Sequence, residues 1–103
     1  MFNGRRHKRV VIDEDLVLQP QFKAKNISES GMLLKLSEPI PVGKLIELTL
    51  CLDGKQYNTV AFVRRCAAAT SIFDHGYDAG VEFKGHSIGM QLAIRAHINR
   101  LAE

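Results

Sequence analysis

Arg5 and Arg9, with Arg6 and Lys8 between them, set four permanent cations ahead of the first acidic residue, Asp13. The formal net charge of the whole chain is +3, so this opening segment carries more positive charge than the molecule does net. Guanidinium groups are planar forks of donors that pair bidentately with phosphate oxygens or with O6 and N7 of guanine, and they also stack on base faces. An ammonium cannot do all three. The segment is an anion-seeking arm that leads from Gly4 into the β-rich Val10-Val11-Ile12. On its own, such a run has a plainer explanation as a solvated basic tail.

A second group of polar residues is Asn26-Ile27-Ser28-Glu29-Ser30-Gly31. Asn26 offers an amide donor and a carbonyl acceptor, and Ser28 adds a short hydroxyl. Gly31 permits a left-handed or closely approached backbone where the turn ends. Such a turn is suited to reading the edge of a base. A structural Asx or Ser turn without any ligand uses the same residue types.

Other candidates carry less. His7, His75, His86 and His97 lie on four different segments without paired spacing, which is the pattern of surface histidines and not of a zinc site or an acid/base pair. Cys51 and Cys66 are far apart on strand-like segments and read as half-buried thiols. Asp13-Glu14-Asp15 suits a solvent-exposed bend better than two converging carboxylates. Arg64-Arg65 lies on a strand, so one of the pair must face outward and could extend an anion site, although a solvated edge charge explains it as well. No set of nucleophile, base and oxyanion donors is recognisable, and an enzyme is not expected. Nor is duplex nucleic acid, which basic domains meet with a denser positive surface.

The elements that must position these groups are mostly strands. Val10 to Leu18, Phe22 to Ile27 and Met32 to Leu36 form short apolar or alternating runs broken by turn residues. Between Lys44 and Leu52, Ile46, Leu48, Leu50 and Leu52 share one face, with Glu47, Thr49 and Cys51 on the other. Asp53-Gly54 then fits a type I′ turn, making Lys44 to Ala67 a hairpin. Tyr77, Ala79, Val81 and Phe83 alternate with Asp78, Gly80, Glu82 and Lys84 as a sixth strand. From Ser87, a helix cap, the period becomes helical through Ile88, Gln91-Leu92, Ile94, Ile98 and Leu101, with Arg95, His97 and Arg100 toward solvent or the C-terminal dipole. The expected fold is all-β: a six-stranded antiparallel β-barrel with a C-terminal α-helix across one open end.

At 103 residues, 46% hydrophobic and 24% charged, the chain has the composition of one domain, residues 1–103. Residues 1–9 are expected to be a flexible basic arm, because Met1 and Phe2 are its only apolar side chains. No apolar run reaches bilayer length and no secretory signal opens the chain, so the expected location is the cytoplasm, without membrane insertion.

An Arg-x-x-x-Arg ahead of the first strand, followed by a D/N-x-S-x-x-G between the second and third, closely resembles the PilZ domain family. Arg5 and Arg9 match the arginine pair, and Asn26, Ser28 and Gly31 match the second motif. Met32-Leu33-Leu34, Glu38 to Gly43, and Tyr77 to Phe83 before a terminal helix are similar as well, so the resemblance covers nearly the whole chain. It implies a six-stranded barrel with a C-terminal helix that binds cyclic di-GMP, with no other cofactor. Arg5, Arg9 and also Arg6 would meet phosphates and guanine edges, Asn26 and Ser28 would hydrogen-bond a guanine, and Gly31 would shape the turn. The implied role is a receptor or adaptor whose ligand-induced change is read by an effector protein in motility, exopolysaccharide or biofilm regulation. One alternative is a PilZ-like interaction module that needs no ligand. Another is a small barrel for single-stranded nucleic acid, but the seven Phe and Tyr residues fall mostly at core positions and there is no tryptophan.

Overall fold

A computed structural model of the chain describes residues 10–11, 16–69 and 75–101. Six strands, β1 (Val10–Val11), β2 (Phe22–Ile27), β3 (Gly31–Leu36), β4 (Leu45–Leu52), β5 (Lys55–Ala68) and β6 (Tyr77–Lys84), precede one helix, α1 (Ile88–Leu101). They form a single antiparallel sheet in the order β1-β2-β3-β6-β5-β4. The fold is mainly β with a C-terminal helix, as the patterning requires.

The sheet curls because its inner face is continuously apolar while its outer face is wet. On β4, Leu48, Leu50 and Leu52 are buried and Glu47 is exposed; on β6, Ala79, Val81 and Phe83 are buried between half-buried Asp78, Gly80 and Glu82. Curling brings the chain that leaves β1 back against the other edge strand, β4. There Val17 bridges Leu50, the Leu18 amide donates to the Thr49 carbonyl at 2.9 Å, and the Cys51 amide donates to the Leu16 carbonyl at 2.8 Å. The result is a partly open barrel drawn shut along a short seam. That seam is a single bridge where a strand extending to Leu18 was expected, and Leu16 and Val17 serve instead as buried core residues.

Ser87 caps α1 as expected: its hydroxyl accepts from the Met90 amide at 3.1 Å, and its carbonyl accepts from the Gln91 amide at 3.0 Å. The helix face differs from the expectation. Met90, Ile94, His97 and Ile98 are buried against the sheet, whereas Ile88 and Leu92 are 74% and 54% exposed. Positions 92 and 94 are about 200° apart on a helical wheel, so one apolar stripe cannot hold both. The face that wins includes a histidine. His97 Nδ1 lies 3.0 Å from Arg100 Nη2, and the ring is buried rather than solvated.

Two bulges re-aim side chains on the outer face. The β2–β3 register shifts between Ala24 and Asn26, and the β5–β6 register shifts between Val63 and Arg65. The second places an extra residue, Arg64, in β5, so Arg64 and Arg65 are both exposed instead of alternating in and out.

Candidate functional site

The turn between β2 and β3 is built by side chains. The Ser28 amide donates to the Gly31 carbonyl at 2.8 Å, leaving Glu29 and Ser30 as a two-residue loop. Ser28 is 1% exposed. Its hydroxyl lies 3.3 Å from the Gly31 carbonyl, to which it donates, and accepts from the Ser30 amide at 3.3 Å. Gly31 is needed for close approach and not for a left-handed backbone. A Cβ there would stand 2.1 Å from the Val81 carbonyl oxygen on β6, inside any tolerable contact.

The rest of the molecule fastens this turn from three directions. The Phe83 amide of β6 donates to the Ser30 carbonyl at 2.9 Å. His86 Nε2 lies 3.2 Å from the Glu29 carbonyl oxygen, and since a carbonyl only accepts, the imidazole donates. From α1, Arg95 reaches Glu29 Oε1 with Nε at 3.1 Å and Nη2 at 2.8 Å. Contacts within the protein therefore hold the turn in a fixed shape.

Beside the turn, β1 pairs with β2 in the register Val10 to Ile27 and Val11 to Asn26. Val10, the residue after Arg9 in sequence, thus pairs beside the polar turn, although the two are separated by more than a dozen residues of sequence. Arg5, Arg6 and Arg9 themselves lie outside the described residues, as does the arm expected over residues 1–9. Asn26 is half-buried on the outer face, in register with Leu33 of β3.

The sequence matches the model of the PilZ domain over residues 4–101. The chain belongs to the PilZ family. Among solved structures, its fold is similar to that of the Bacillus subtilis inhibitor of motility, MotI/DgrA, with a TM-score of 0.80 and 22% sequence identity. That likeness covers 98% of this chain and 52% of the other, so the chain spans about half the length of that protein. No curated protein matches it in sequence.

The sequence alone did not reveal what fastens the β2–β3 turn. The hold of Arg95 on Glu29 joins positions 66 residues apart, and nothing local to either residue marks it. Gly80 could have been noticed, because a glycine on the outward phase of a strand often marks a close approach. A surface hollow of about 460 Å³ lined by Gln19, Glu47, Thr49, Asn58 and Lys84 shares no residue with the motif turn of this PilZ domain. Among the described residues no cluster of His, Cys, Asp and Glu could hold a metal ion, and no helix is long and apolar enough to cross a membrane.

Proposed function

We propose that this PilZ domain is a receptor for cyclic di-GMP, held between the basic segment and the β2–β3 turn, and that it acts by binding and not by catalysis. The observation that supports the reading is the β1–β2 pairing, in which Val10 and Val11, the residues that follow Arg9 in sequence, lie against Ile27 and Asn26. In this reading Arg5, Arg6 and Arg9 grip phosphates and guanine edges. Asn26 reads a guanine edge, Ser28 fixes the turn and offers its hydroxyl once the arm closes, and Gly31 lets the turn sit tightly on β6. The ligand's phosphates and guanine edges offer partners to the cations of the arm, and those contacts draw the arm onto the barrel. The surface so formed is read by an effector protein, and the fold shared with an inhibitor of motility makes motility one output to examine.

Titration calorimetry of the full chain with cyclic di-GMP tests this directly. Binding is expected at micromolar protein, with Arg5→Ala and Arg9→Ala each losing about 2 kcal/mol, the scale of a charge-assisted contact. Asn26→Ala should weaken cyclic di-GMP much more than cyclic di-AMP, because the amide reads a base edge and not charge. A wild-type chain that gives no heat, or alanine variants that bind as the wild type does, would overturn the assignment.

A further inference from the structure

Each of the four described arginines except Arg65 has a carboxylate or turn to serve. Arg64 pairs with Glu82 at 3.7 Å, Arg95 with Glu29 at 2.8 Å, and Arg100 with Asp53. Arg65 makes no ion pair or hydrogen bond among the described residues, although its register partner on β6, Gly80, lies between two acids, Asp78 and Glu82. Both acids are already engaged: Asp78 by Lys25 at 3.3 Å, and Glu82 by Lys84 at 3.0 Å and by Arg64.

The direction in which Arg65 points is also constrained. A Cβ at Gly80 would lie 3.1 Å from both Cγ and Nε of Arg65 and 3.6 Å from Cδ. The arginine stem is thus laid flat across the glycine, away from β4 and along a cross-strand row. The pairings spell out that row: Arg65 to Gly80, Gly80 to Leu33, Leu33 to Asn26, and Asn26 to Val11. Directly paired residues share a face of the sheet, so the row runs over the outer surface from Arg65 to Asn26 and the strand that follows Arg9. Three strand spacings separate Arg65 from Asn26, about 14 Å, and the stem already covers the first of them. Half-buried Leu33 makes an apolar floor between the two ends. The bulge at Arg64 produces this arrangement, because strict alternation would have turned one member of the Arg64-Arg65 pair inward.

We infer that Arg65 is a further ligand-contacting residue, meeting a phosphate or guanine of the bound dinucleotide over this outer face, and that Gly80 is the positioning residue that lets it lie in that direction. The inference rests on the cyclic di-GMP reading above and deepens it. The Arg65 guanidinium, without an ion pair or hydrogen bond among the described residues, lies over Gly80 at one end of a row whose floor is half-buried Leu33 and whose far end is Asn26. Arg64 is its internal control: an adjacent arginine of the same charge, also exposed, but paired with Glu82.

Calorimetry with cyclic di-GMP on the full chain and on Arg65→Ala, Arg64→Ala, Gly80→Ala and the Arg65→Ala/Gly80→Ala pair tests both roles, with circular dichroism verifying the fold. Arg65→Ala should weaken binding by roughly tenfold to a hundredfold, the loss of one charge-assisted contact, and Arg64→Ala by no more than about twofold, as expected for a solvated pair. Gly80→Ala should weaken binding to a lesser degree and add nothing in the Arg65→Ala background, because its effect passes through that side chain. Equal losses for Arg64→Ala and Arg65→Ala, or wild-type binding by Arg65→Ala, would overturn the inference while leaving the receptor assignment intact. Additive losses in the double variant would overturn the positioning role of Gly80. If the wild-type chain itself does not bind cyclic di-GMP, it is the receptor assignment that fails.

Discussion

The β2–β3 and β4–β5 hairpins close with loops of the same length and are each tied to α1 by one arginine, yet they hold their shape by different means. At Asp53-Gly54 the backbone does the work: both residues have positive φ, 54° and 78°, as a type I′ turn requires, and both are exposed. Among the described residues Asp53 is the one non-glycine with positive φ, so Glu29 and Ser30 do not use that geometry. Their loop is held by the buried Ser28 hydroxyl, the Phe83 amide, the His86 ring and Arg95. A turn that needed only to reverse the chain could have used the first solution. The second spends side-chain and backbone hydrogen bonds from β6, the residue before Ser87 and α1 on a loop of ordinary backbone, and so holds Glu29 and Ser30 in place. The β2–β3 turn thus depends on distant residues for its shape, and the β4–β5 turn does not.

The largest expected effect separates the two turns at their glycines. Gly31→Ala puts a Cβ 2.1 Å from the backbone oxygen of Val81, which no rotamer change can relieve, so β3 and β6 must part. The expected cost is about 3 kcal/mol, the upper end for overpacking a well-packed site. Gly54→Ala meets open space and loses only the freedom to hold a positive φ, about 1 kcal/mol. Urea unfolding midpoints measure both. Equal losses would mean that the close approach of Gly31 to β6 does not exist in solution and that the two turns are of one kind.

How far the sequence could be read follows the same division. Features set by neighbouring residues were legible: the alternation of Ile46 to Leu52, the Asp53-Gly54 turn, the Ser87 cap, and the order of the two motifs. What was not legible depended on residues far apart in the chain. His97 reads as a surface residue because the stripe Ile88, Leu92, Ile94, Ile98 looks continuous in sequence, and only packing on the sheet decides which of two faces is buried. The aim of Arg65 depends on a bulge, and a bulge is fixed by the pairing partner, not by the strand that carries it. Gly31 was expected to shape its turn by conformational freedom or close approach, and only the position of Val81 selects the second. The site residues Arg5, Arg6 and Arg9 remain a reading of the sequence.

A smaller effect distinguishes the two arginine ties. Glu29–Arg95 and Asp53–Arg100 are both partly solvated, and removing either arginine should cost at most about 1 kcal/mol of stability. Their consequences for binding should differ. Arg95→Ala releases the turn beside Asn26 and is expected to weaken cyclic di-GMP by roughly threefold to tenfold, because part of the binding energy must then order the turn. Arg100→Ala should leave affinity unchanged, since the Asp53-Gly54 turn does not need its partner to hold its shape. If both variants bind alike, α1 does not support the site and the difference between the turns ends at the sheet.

The smallest effect is expected at Glu82, the register partner of Gly31 on β6, and it is a dependence on pH. The hydrogen bond from Lys84 holds this carboxyl below its ordinary value of 4.5; desolvation opposes the shift, and the charges of Lys84 and Arg64 reinforce it. A carboxyl that is a stronger acid in the folded state leaves the unfolded chain holding more protons, so its contribution to stability rises with pH. That contribution is complete above the ordinary carboxylate value and is lost as the pH falls through the lower, folded one. The difference in unfolding midpoint between the wild type and Glu82→Gln should therefore be constant near neutrality and shrink below about pH 4.5. Water around the pair keeps the difference small throughout. Acid should also release Arg64 from Glu82 and so make it resemble Arg65, the neighbour without a carboxylate. If the midpoint difference stays constant down to pH 3, Glu82 is not paired in solution, and the contrast between a committed Arg64 and an available Arg65 loses its basis.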